Sequence, residues 1–176
     1  YGVSPMFVER DAMDGMRCYV FPIGSYYLAN SARLQVDTLY RMTTLTVAQI
    51  MEKFAGDEDR MKRDGTGPSK QTRGLYDRGD YDEMIHVCQV IEPNREHDPD
   101  KMGYENMHTR GVWFEVGSGN SGDNDLLGIE GFSEFPVMAP RWSTTGEDVY
   151  GSCPAMDALG DIKALQLMEK RKAQAL

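Results

Sequence analysis

The residues of this sequence whose spacing most closely matches a known chemical motif are Gly117, Gly119 and Gly122. They form Gly-x-Gly-x-x-Gly directly after the strand-like residues 112–116. In dinucleotide-binding proteins such a loop leads into a helix whose N-terminus holds the pyrophosphate. Here residues 123–125 read Asp-Asn-Asp, and no helical apolar pattern follows them. The pattern therefore predicts a hairpin turn, and a nucleotide-binding enzyme domain built on this loop is the alternative.

The three histidines are the next candidates for chemistry, as metal ligands. His86, His97 and His108 follow one another at intervals of eleven residues, which puts no two of them on one helical face. No His-x-x-x-His or Cys-x-x-Cys pair accompanies them. The histidines are therefore interpreted as ordinary structural or surface residues, and we predict no metal and no cofactor.

The cysteines indicate neither a disulfide framework nor a catalytic thiol. Cys18, Cys88 and Cys153 are odd in number and far apart, a pattern that favours a reducing, intracellular origin. Cys153 stands between a serine and a proline at the start of a helical pattern, and no Gly-x-Ser-x-Gly nucleophile motif is present. We therefore predict that the protein is not an enzyme.

The composition of the 176 residues sets the broad class. Apolar residues make up 40% and charged residues 27%, which suits one folded domain. The formal net charge of −9 disfavours a surface that binds nucleic acid as a whole. No apolar run approaches the ~18 residues of a membrane span, and no secretory signal opens the chain. We therefore expect a soluble chain with no membrane partner.

Short runs rich in β-branched and aromatic residues predict strands, and residues 36–43 alternate with the period of two that a half-buried strand shows. Strands are predicted at residues 16–21, 26–28, 36–43, 84–91, 110–116, 126–129 and 135–139. Residues 57–81 are polar and carry scattered glycines, so they predict a mobile surface loop with one helical turn near residues 72–76.

Two helices are predicted. Thr46 and Gln49 form a capping box that opens a short helix, Phe54 lies near its end, and Gly56 suits a left-handed C-cap. We expect its apolar stripe to be buried: Val47, Ile50 and Phe54. A long helix follows Ser152 and Pro154, with Ser152 as the candidate cap.

The predicted fold is therefore α+β: a mostly antiparallel β body over residues 1–151, one short helix packed on it, and the start of a long helix over residues 152–176. The first residue is not methionine and the long helix runs to the last residue without a C-cap, so we interpret the chain as a piece of a longer protein. We expect the first half of the long helix to pack on the β body and the second half, from Leu167, to be partly exposed or held by another copy.

The residues from Gly131 to Gln166 decide the functional interpretation. They contain Phe-Pro-x-x-x-Pro-Arg-Trp, then a Gly-Glu-Asp-x-Tyr-Gly turn, then Ser-Cys-Pro-Ala-Met-Asp-Ala-Leu-Gly-Asp-Ile-Lys. This segment closely resembles the head-to-tail connector, or portal, proteins of short-tailed bacteriophages. It departs from the family pattern in the inserted Asp148 and in Cys153 and Ala155. The residues that carry the resemblance are Phe135, Pro136, Pro140, Arg141, Trp142, Gly146, Glu147, Tyr150, Gly151, Pro154, Met156, Asp157 and Asp161.

The order of earlier elements is also similar to that family, so the resemblance spans nearly the whole chain and is weakest at residues 57–80 and at the glycine turn. It implies a wing-region piece of a structural subunit, with the long helix running toward the stem of the portal. Arg141 and Trp142 would anchor a corner or an intersubunit contact. Lys170, Arg171 and Lys172 suit the negative end of a helix dipole, and contact with DNA in the channel is their alternative role.

The resemblance further implies a dodecameric ring at one capsid vertex, through which DNA is packaged and ejected. The implied partners are other copies of the subunit, double-stranded DNA held without sequence specificity, terminase, capsid and tail adaptor proteins. The implied location is the virion, assembled in the bacterial host cytoplasm, with a gene carried by a prophage as a secondary alternative. A generic β-rich binding module is the other alternative to this interpretation.

Overall fold

The structure is a computed structural model that describes residues 2–11, 13–117 and 126–175. The described residues fall into two compact units. One unit spans Phe21–Val137, and the other combines Tyr1–Val20 with Met138–Leu176. Antiparallel sheets and helices confirm the predicted α+β class.

Eight strands and five α-helices are found along the described ranges. The strands are β1 (Met6–Asp11), β2 (Gly15–Val20), β3 (Tyr26–Asn30), β4 (Val36–Thr46), β5 (Met84–Pro93), β6 (Thr109–Glu115), β7 (Leu126–Phe132) and β8 (Val137–Met138). The helices are α1 (Val47–Phe54), α2 (Glu58–Asp64), α3 (Lys70–Arg78), α4 (Pro154–Asp157) and α5 (Leu159–Ala175), with a 3-10 helix at Tyr104–Asn106.

The unit Phe21–Val137 is built on a five-stranded antiparallel sheet in which β3, β4, β5, β6 and β7 pair in chain order. One face of this sheet carries the core. Ile50 of α1 packs there against Val87, Trp113 and Leu127, and the partly buried Phe54 joins them. The alternation of buried and partly buried residues along β6 follows from this stronger burial of one face.

Helix α1 confirms the prediction made for residues 46–54. Thr46 accepts a hydrogen bond from the Gln49 amide, and the Gln49 side chain accepts one from the Thr46 amide, so the capping box is complete. The predicted left-handed cap at Gly56 is wrong, because the helix ends at Ala55 with right-handed backbone angles and an Ala55 amide bonded to the Met51 carbonyl.

The prediction of a loop over residues 57–81 is wrong for most of its length, since α2 and α3 lie there. Ser69 caps α3, Gly79 ends it in the left-handed conformation, and Thr72 is fully buried. Glu115 of β6 accepts hydrogen bonds from the Ser69 and Thr72 side chains. Contacts with a strand more than forty residues away stabilise a helix that the polar local composition did not indicate.

A second sheet has the order β2-β1-β8. The sequence did not indicate β1, whose residues Glu9 to Asp11 are charged, although every residue of β1 pairs with one of β2. The Asp11 carboxylate accepts hydrogen bonds from the Met13 and Asp14 amides and so fixes the turn between β1 and β2. The strand predicted at residues 135–139 is reduced to the two residues of β8.

The long C-terminal helix is interrupted near its start, where α4 ends at Ala158 before α5 begins. Its N-cap is Cys153 and not the predicted Ser152, while Pro154 occupies the first turn as expected. None of the described helices has both the length and the apolar composition to cross a membrane.

The prediction that the first half of this helix packs on the β body is wrong, because every residue of α5 whose burial is described is exposed. The large apolar residues Leu159, Ile162, Leu165 and Met168 follow at a constant spacing of three. Each step of three residues falls ~60° short of a full helical turn, so these side chains wind around the helix and form no single face to bury.

One face of β7, an outer strand of the five-stranded sheet, is covered near Gly131. The 3-10 helix Tyr104–Asn106 packs against β7, where a Cβ placed on Gly131 would collide with the carbonyl oxygen of Tyr104. The backbone of Tyr104 can approach β7 this closely because residue 131 is glycine.

Candidate functional site

The family-like motifs lie in residues 135–161, which we call the motif segment. Phe135 and Pro136 at its beginning are partly buried and belong to the unit Phe21–Val137. From residue 138 onward the segment belongs to the other unit, so two of the thirteen predicted residues lie in one unit and eleven in the other.

The N-terminal residues of the chain hold the middle of the motif segment. Val3 forms an antiparallel bridge with Arg141, the Trp142 amide donates to the Gly2 carbonyl at 2.8 Å, and the Ser4 amide donates to the Pro140 carbonyl at 3.3 Å. Gly2 has no room for a side chain, since a Cβ would collide with the backbone of Ser152. This pairing was not predicted, because residues 2–4 carry no strand pattern of their own.

The loop between residues 143 and 152 is closed on itself. Ser143 and Ser152 form an antiparallel bridge, and the Ser152 amide donates to the Ser143 carbonyl at 2.7 Å. Gly151 has a φ of 71°, and a Cβ there would lie 2.6 Å from the Ser143 carbonyl oxygen. Gly146 has a φ of 65° with open space around it. The positive φ at both positions favours glycine, which explains why the motif has glycine there.

The side chains of Arg141 and Trp142 differ sharply in what they contact. The Arg141 guanidinium donates a 3.0 Å hydrogen bond to the carbonyl of Asp148, the residue that departs from the family pattern. Trp142 is 75% exposed, while Tyr150 and the motif residue Glu147 are also exposed. The Arg141 side chain thus stabilises a loop of its own unit, whereas the Trp142 indole is exposed to solvent.

The remaining motif residues open the two C-terminal helices. Pro154, Met156 and Asp157 form most of α4, and Asp161 lies in the first turn of α5. The acidic residues at these positions suit the positive end of a helix dipole. Met156 is exposed, and a hydrogen bond from its amide lowers the pKa of the Cys153 thiol.

Lys170, Arg171 and Lys172 lie on the exposed C-terminal half of α5. None of the three forms an ion pair with any residue in the described part of the chain. The arrangement can offer positive charge to an anionic surface or to phosphate groups.

The glycines that matched a nucleotide-binding motif lie in a loop whose residues 118–125 fall outside the described ranges. The strands on either side, β6 and β7, pair antiparallel, with Trp113 opposite Gly128. A dinucleotide motif joins a strand to a helix that leads to a parallel strand. The topology around Gly117 is therefore that of a hairpin.

The histidines are closer together than their spacing suggested. The rings of His97 and His108 lie 4.0 Å apart, and His97 donates from Nδ1 to the Asn106 carbonyl at 2.6 Å. Within the described ranges no three residues of the types His, Cys, Asp and Glu stand together as a metal site would require. Sequence spacing missed this contact because the excursion between β5 and β6 folds back on itself.

A cavity of about 90 Å³ lies beside Trp113, with Lys53, Phe54 and Gly128 among its lining residues. The Lys53 ammonium stands 3.9 Å from the centroid of the indole ring, whose buried Nε1 has no hydrogen-bond partner among the described residues. Ligand pockets typically measure ~300–1,000 Å³, so this cavity is too small for a nucleotide.

Comparison with known proteins agrees with the resemblance of the motif segment. Residues 1–176 match the family described as bacteriophage head to tail connecting protein. The chain is 44% identical over 178 residues to the portal protein of Salmonella phage epsilon15, covering 100% of this chain and 30% of that protein. It is 37% identical over 153 residues to the probable portal protein of Bordetella phage BPP-1, covering 87% of this chain and 25% of that protein. The chain thus spans less than a third of the length of these relatives, and it belongs to the bacteriophage head-to-tail connecting protein family.

Proposed function

We propose that this chain is part of a structural subunit of a phage portal, which assembles into a dodecameric ring at one capsid vertex. The ring would form the channel for DNA packaging and ejection and the junction between head and tail. The observation that carries this proposal is the family match over residues 1–176, together with 44% identity to a protein named as a portal.

The motif segment supports a role in assembly. Trp142 is 75% exposed, yet its backbone is fixed by Gly2 and the adjacent loop is fixed by Arg141. A large aromatic side chain that projects into solvent from a hydrogen-bonded backbone buries much apolar area when a partner covers it, and such residues often dominate the binding energy of interfaces. We therefore assign Trp142 to a contact between subunits.

The charge distribution supports a channel that does not hold DNA tightly. The net charge is −9, so the chain as a whole repels phosphate. Lys170, Arg171 and Lys172 are the candidates for local, sequence-independent contact with the backbone of passing DNA. Terminase, capsid and tail adaptor proteins are the proposed partners, the virion is the proposed location after assembly in the bacterial host cytoplasm, and no catalytic role is proposed.

The nucleotide-binding alternative is the weaker one. The strands that flank Gly117 are antiparallel, whereas a dinucleotide motif leads through a helix to a parallel strand. A saturable rise in melting temperature with a dinucleotide, abolished by Gly119→Val, would support that alternative and contradict the portal proposal.

The proposal is tested by measuring the mass of the full-length protein by light scattering and imaging it by electron microscopy. We expect closed rings. Trp142→Ala should reduce the ringed fraction, whereas Trp142→Phe should retain part of it and Met102→Ala, at a fully exposed position, should leave it unchanged. A full-length protein that stays monomeric at high concentration would rule the proposal out.

A further inference from the structure

The turn between β3 and β4 carries an exposed leucine in a backbone conformation that leucine rarely adopts. Leu34 has a φ of 59°, and it is the only residue other than glycine with a positive φ in the described ranges. The Leu34 amide donates to the Ser31 carbonyl, and hairpin turns that end in a left-handed residue usually have glycine there. The Leu34 side chain is 47% exposed, so burial in its own unit offsets little of the strain. A residue that opposes local backbone preference without an internal gain points to an interaction.

Residues 31–35, which we call the tip, also carry a cation. Arg33 is exposed, and no ion pair joins its guanidinium to a described residue. The Arg33 amide donates to the Ser31 hydroxyl, and the Ser31 amide donates to the Gln35 carbonyl, so the backbone of the tip is fixed. The tip therefore presents one apolar side chain and one positive charge together. It fits a partner surface that combines apolar contact with negative charge.

A surface of that kind is formed by residues 76–83, which we call the acidic patch. Tyr76 and Tyr81 are both exposed and meet edge to face, with ring centroids 5.0 Å apart. The patch has one basic residue, Arg78, and four exposed acidic residues: Asp77, Asp80, Asp82 and Glu83. No ion pair joins these four carboxylates to any residue in the described part of the chain. The patch thus offers aromatic surface and negative charge together.

The tip and the acidic patch of one copy are too far apart to meet. The tip ends directly before Val36, where β4 begins. At the other end of β4, Thr46 pairs with Met84, which follows the patch. The 11 residues of β4 extend ~34 Å, so the two surfaces lie at opposite ends of the five-stranded sheet. Both belong to the unit Phe21–Val137.

We infer that the tip of one copy binds the acidic patch of the next copy, with Leu34 against the two tyrosines and Arg33 beside the carboxylates. Because the two surfaces differ, the contact is head-to-tail, the type that can close into a ring. Their position at opposite ends of one unit lets each copy use both surfaces at once. This inference rests on the proposed function and names the surfaces through which neighbouring subunits meet.

The first test separates backbone strain from binding in the full-length protein. Leu34→Asn should not lower the melting temperature of the unassembled protein, because asparagine adopts the left-handed conformation more readily than leucine. It should still raise the concentration at which half of the protein is assembled about tenfold, because the apolar contact is lost. Leu34→Met keeps an apolar side chain and should hold that concentration within about threefold. A lower melting temperature for Leu34→Asn would show that the leucine stabilises its own turn, and would overturn the inference.

The second test reverses charge on each surface of the full-length protein. Arg33→Glu should raise the half-assembly concentration about tenfold, and Asp80→Lys with Asp82→Lys should do the same. Combining the three changes should bring the value back to within about threefold of the original protein, because opposite charges again face each other. Arg95→Glu is the matched control, since Arg95 is exposed and forms no ion pair with a described residue. It should leave the value unchanged.

The third test joins the two surfaces covalently. In a background with Cys18→Ser and Cys153→Ser, one protein carries Leu34→Cys and a second carries Tyr81→Cys. A mixture of the two should give disulfide-linked pairs under mild oxidation, and such a link is necessarily intermolecular. A mixture of the Leu34→Cys protein with an Arg95→Cys protein should not, because residue 95 lies outside the acidic patch.

Rings that assemble normally with every variant, and give no cross-link, would overturn the inference while leaving the proposed function intact. Normal rings that retain less DNA with Arg33→Glu would assign this arginine to DNA and would also overturn it. Loss of assembly that the combined charge reversal fails to restore would refute the pairing of the tip with the acidic patch. A full-length protein that never forms rings would instead contradict the proposed function itself.

Discussion

The hydroxyl of Thr72 donates a 2.9 Å hydrogen bond to the carboxylate of Glu115, and both side chains are buried. The same carboxylate accepts from the Ser69 hydroxyl at 2.7 Å and from the Ser69 amide at 3.1 Å. Glu115 therefore attaches the beginning of α3 to β6, and its charge lies at the positive end of the helix dipole.

Removing the Glu115 carboxylate should lower the stability of the fold. Glu115→Ala leaves the buried Thr72 hydroxyl and two donors of the partly buried Ser69 without their acceptor, so we expect the free energy of unfolding to fall by about 2–4 kcal/mol. Urea denaturation measures this, with Glu134→Ala, an exposed carboxylate, as the control expected to change stability by less than ~0.5 kcal/mol. Equal effects from the two variants would show that Glu115 is not the link between helix and strand.

Gly151 and Gly146 form a natural pair for testing backbone strain in the motif segment. Both have positive φ, but only Gly151 has a backbone oxygen 2.6 Å from the position of a Cβ. Gly146→Ala should cost about 1 kcal/mol from the backbone angle alone, and Gly151→Ala should cost at least ~2 kcal/mol because the Ser143 to Ser152 bridge must open. Thermal melts of the two variants compare these costs, and equal melting temperatures would contradict the crowding at Gly151.

Truncation of Ile50 and of Ile162 should change the free energy of unfolding by very different amounts. Ile50 is fully buried against Val87 and Trp113, so Ile50→Ala should lower the free energy of unfolding by about 2–5 kcal/mol. Ile162 on α5 is 43% exposed, so Ile162→Ala should change it by no more than ~0.5 kcal/mol in the isolated chain. Denaturant unfolding of this chain provides both values. A large loss at Ile162 would mean that α5 packs within its own chain.

The stability of the turn between β1 and β2 should depend on pH. Hydrogen bonds from the Asp14 and Met13 amides lower the pKa of the Asp11 carboxyl below its usual 3.8. Because the folded pKa is the lower one, this contribution to stability is present above pH ~4 and is lost as the pH falls through the lowered value. The protection factors of the Arg17 and Tyr19 amides, which compare their exchange with the intrinsic rate at each pH, should therefore fall on acidification, and Asp11→Asn should remove most of that dependence. Protection factors that stay constant between pH 5 and 2 would contradict it.

The elements that could be predicted from sequence are those with a complete local signal. The capping box at Thr46 and Gln49 needs only four consecutive residues, and it is present as predicted. The period of two in residues 36–43 likewise identifies β4, which continues to Thr46. Local sequence signals did not predict elements that contacts with other segments stabilise. Helix α3 depends on Glu115, and β1 depends on its pairing with β2.

The candidate site was also predicted only in part. The resemblance of residues 131–166 identified its residues, but it did not identify the distant residues that hold them in place. Gly2 and Val3, which hold Trp142 and Arg141, are some 140 positions away and carry no motif. The amphipathic character expected of the final helix was overestimated, because residues counted as one stripe wind around α5 at a spacing of three.

Gly131 determines how closely the 3-10 helix can approach the five-stranded sheet. The Tyr104 carbonyl oxygen occupies the space that a Cβ at residue 131 would need, so any side chain there would displace this helix from β7. This single position therefore sets the distance between the sheet and the excursion that joins β5 to β6.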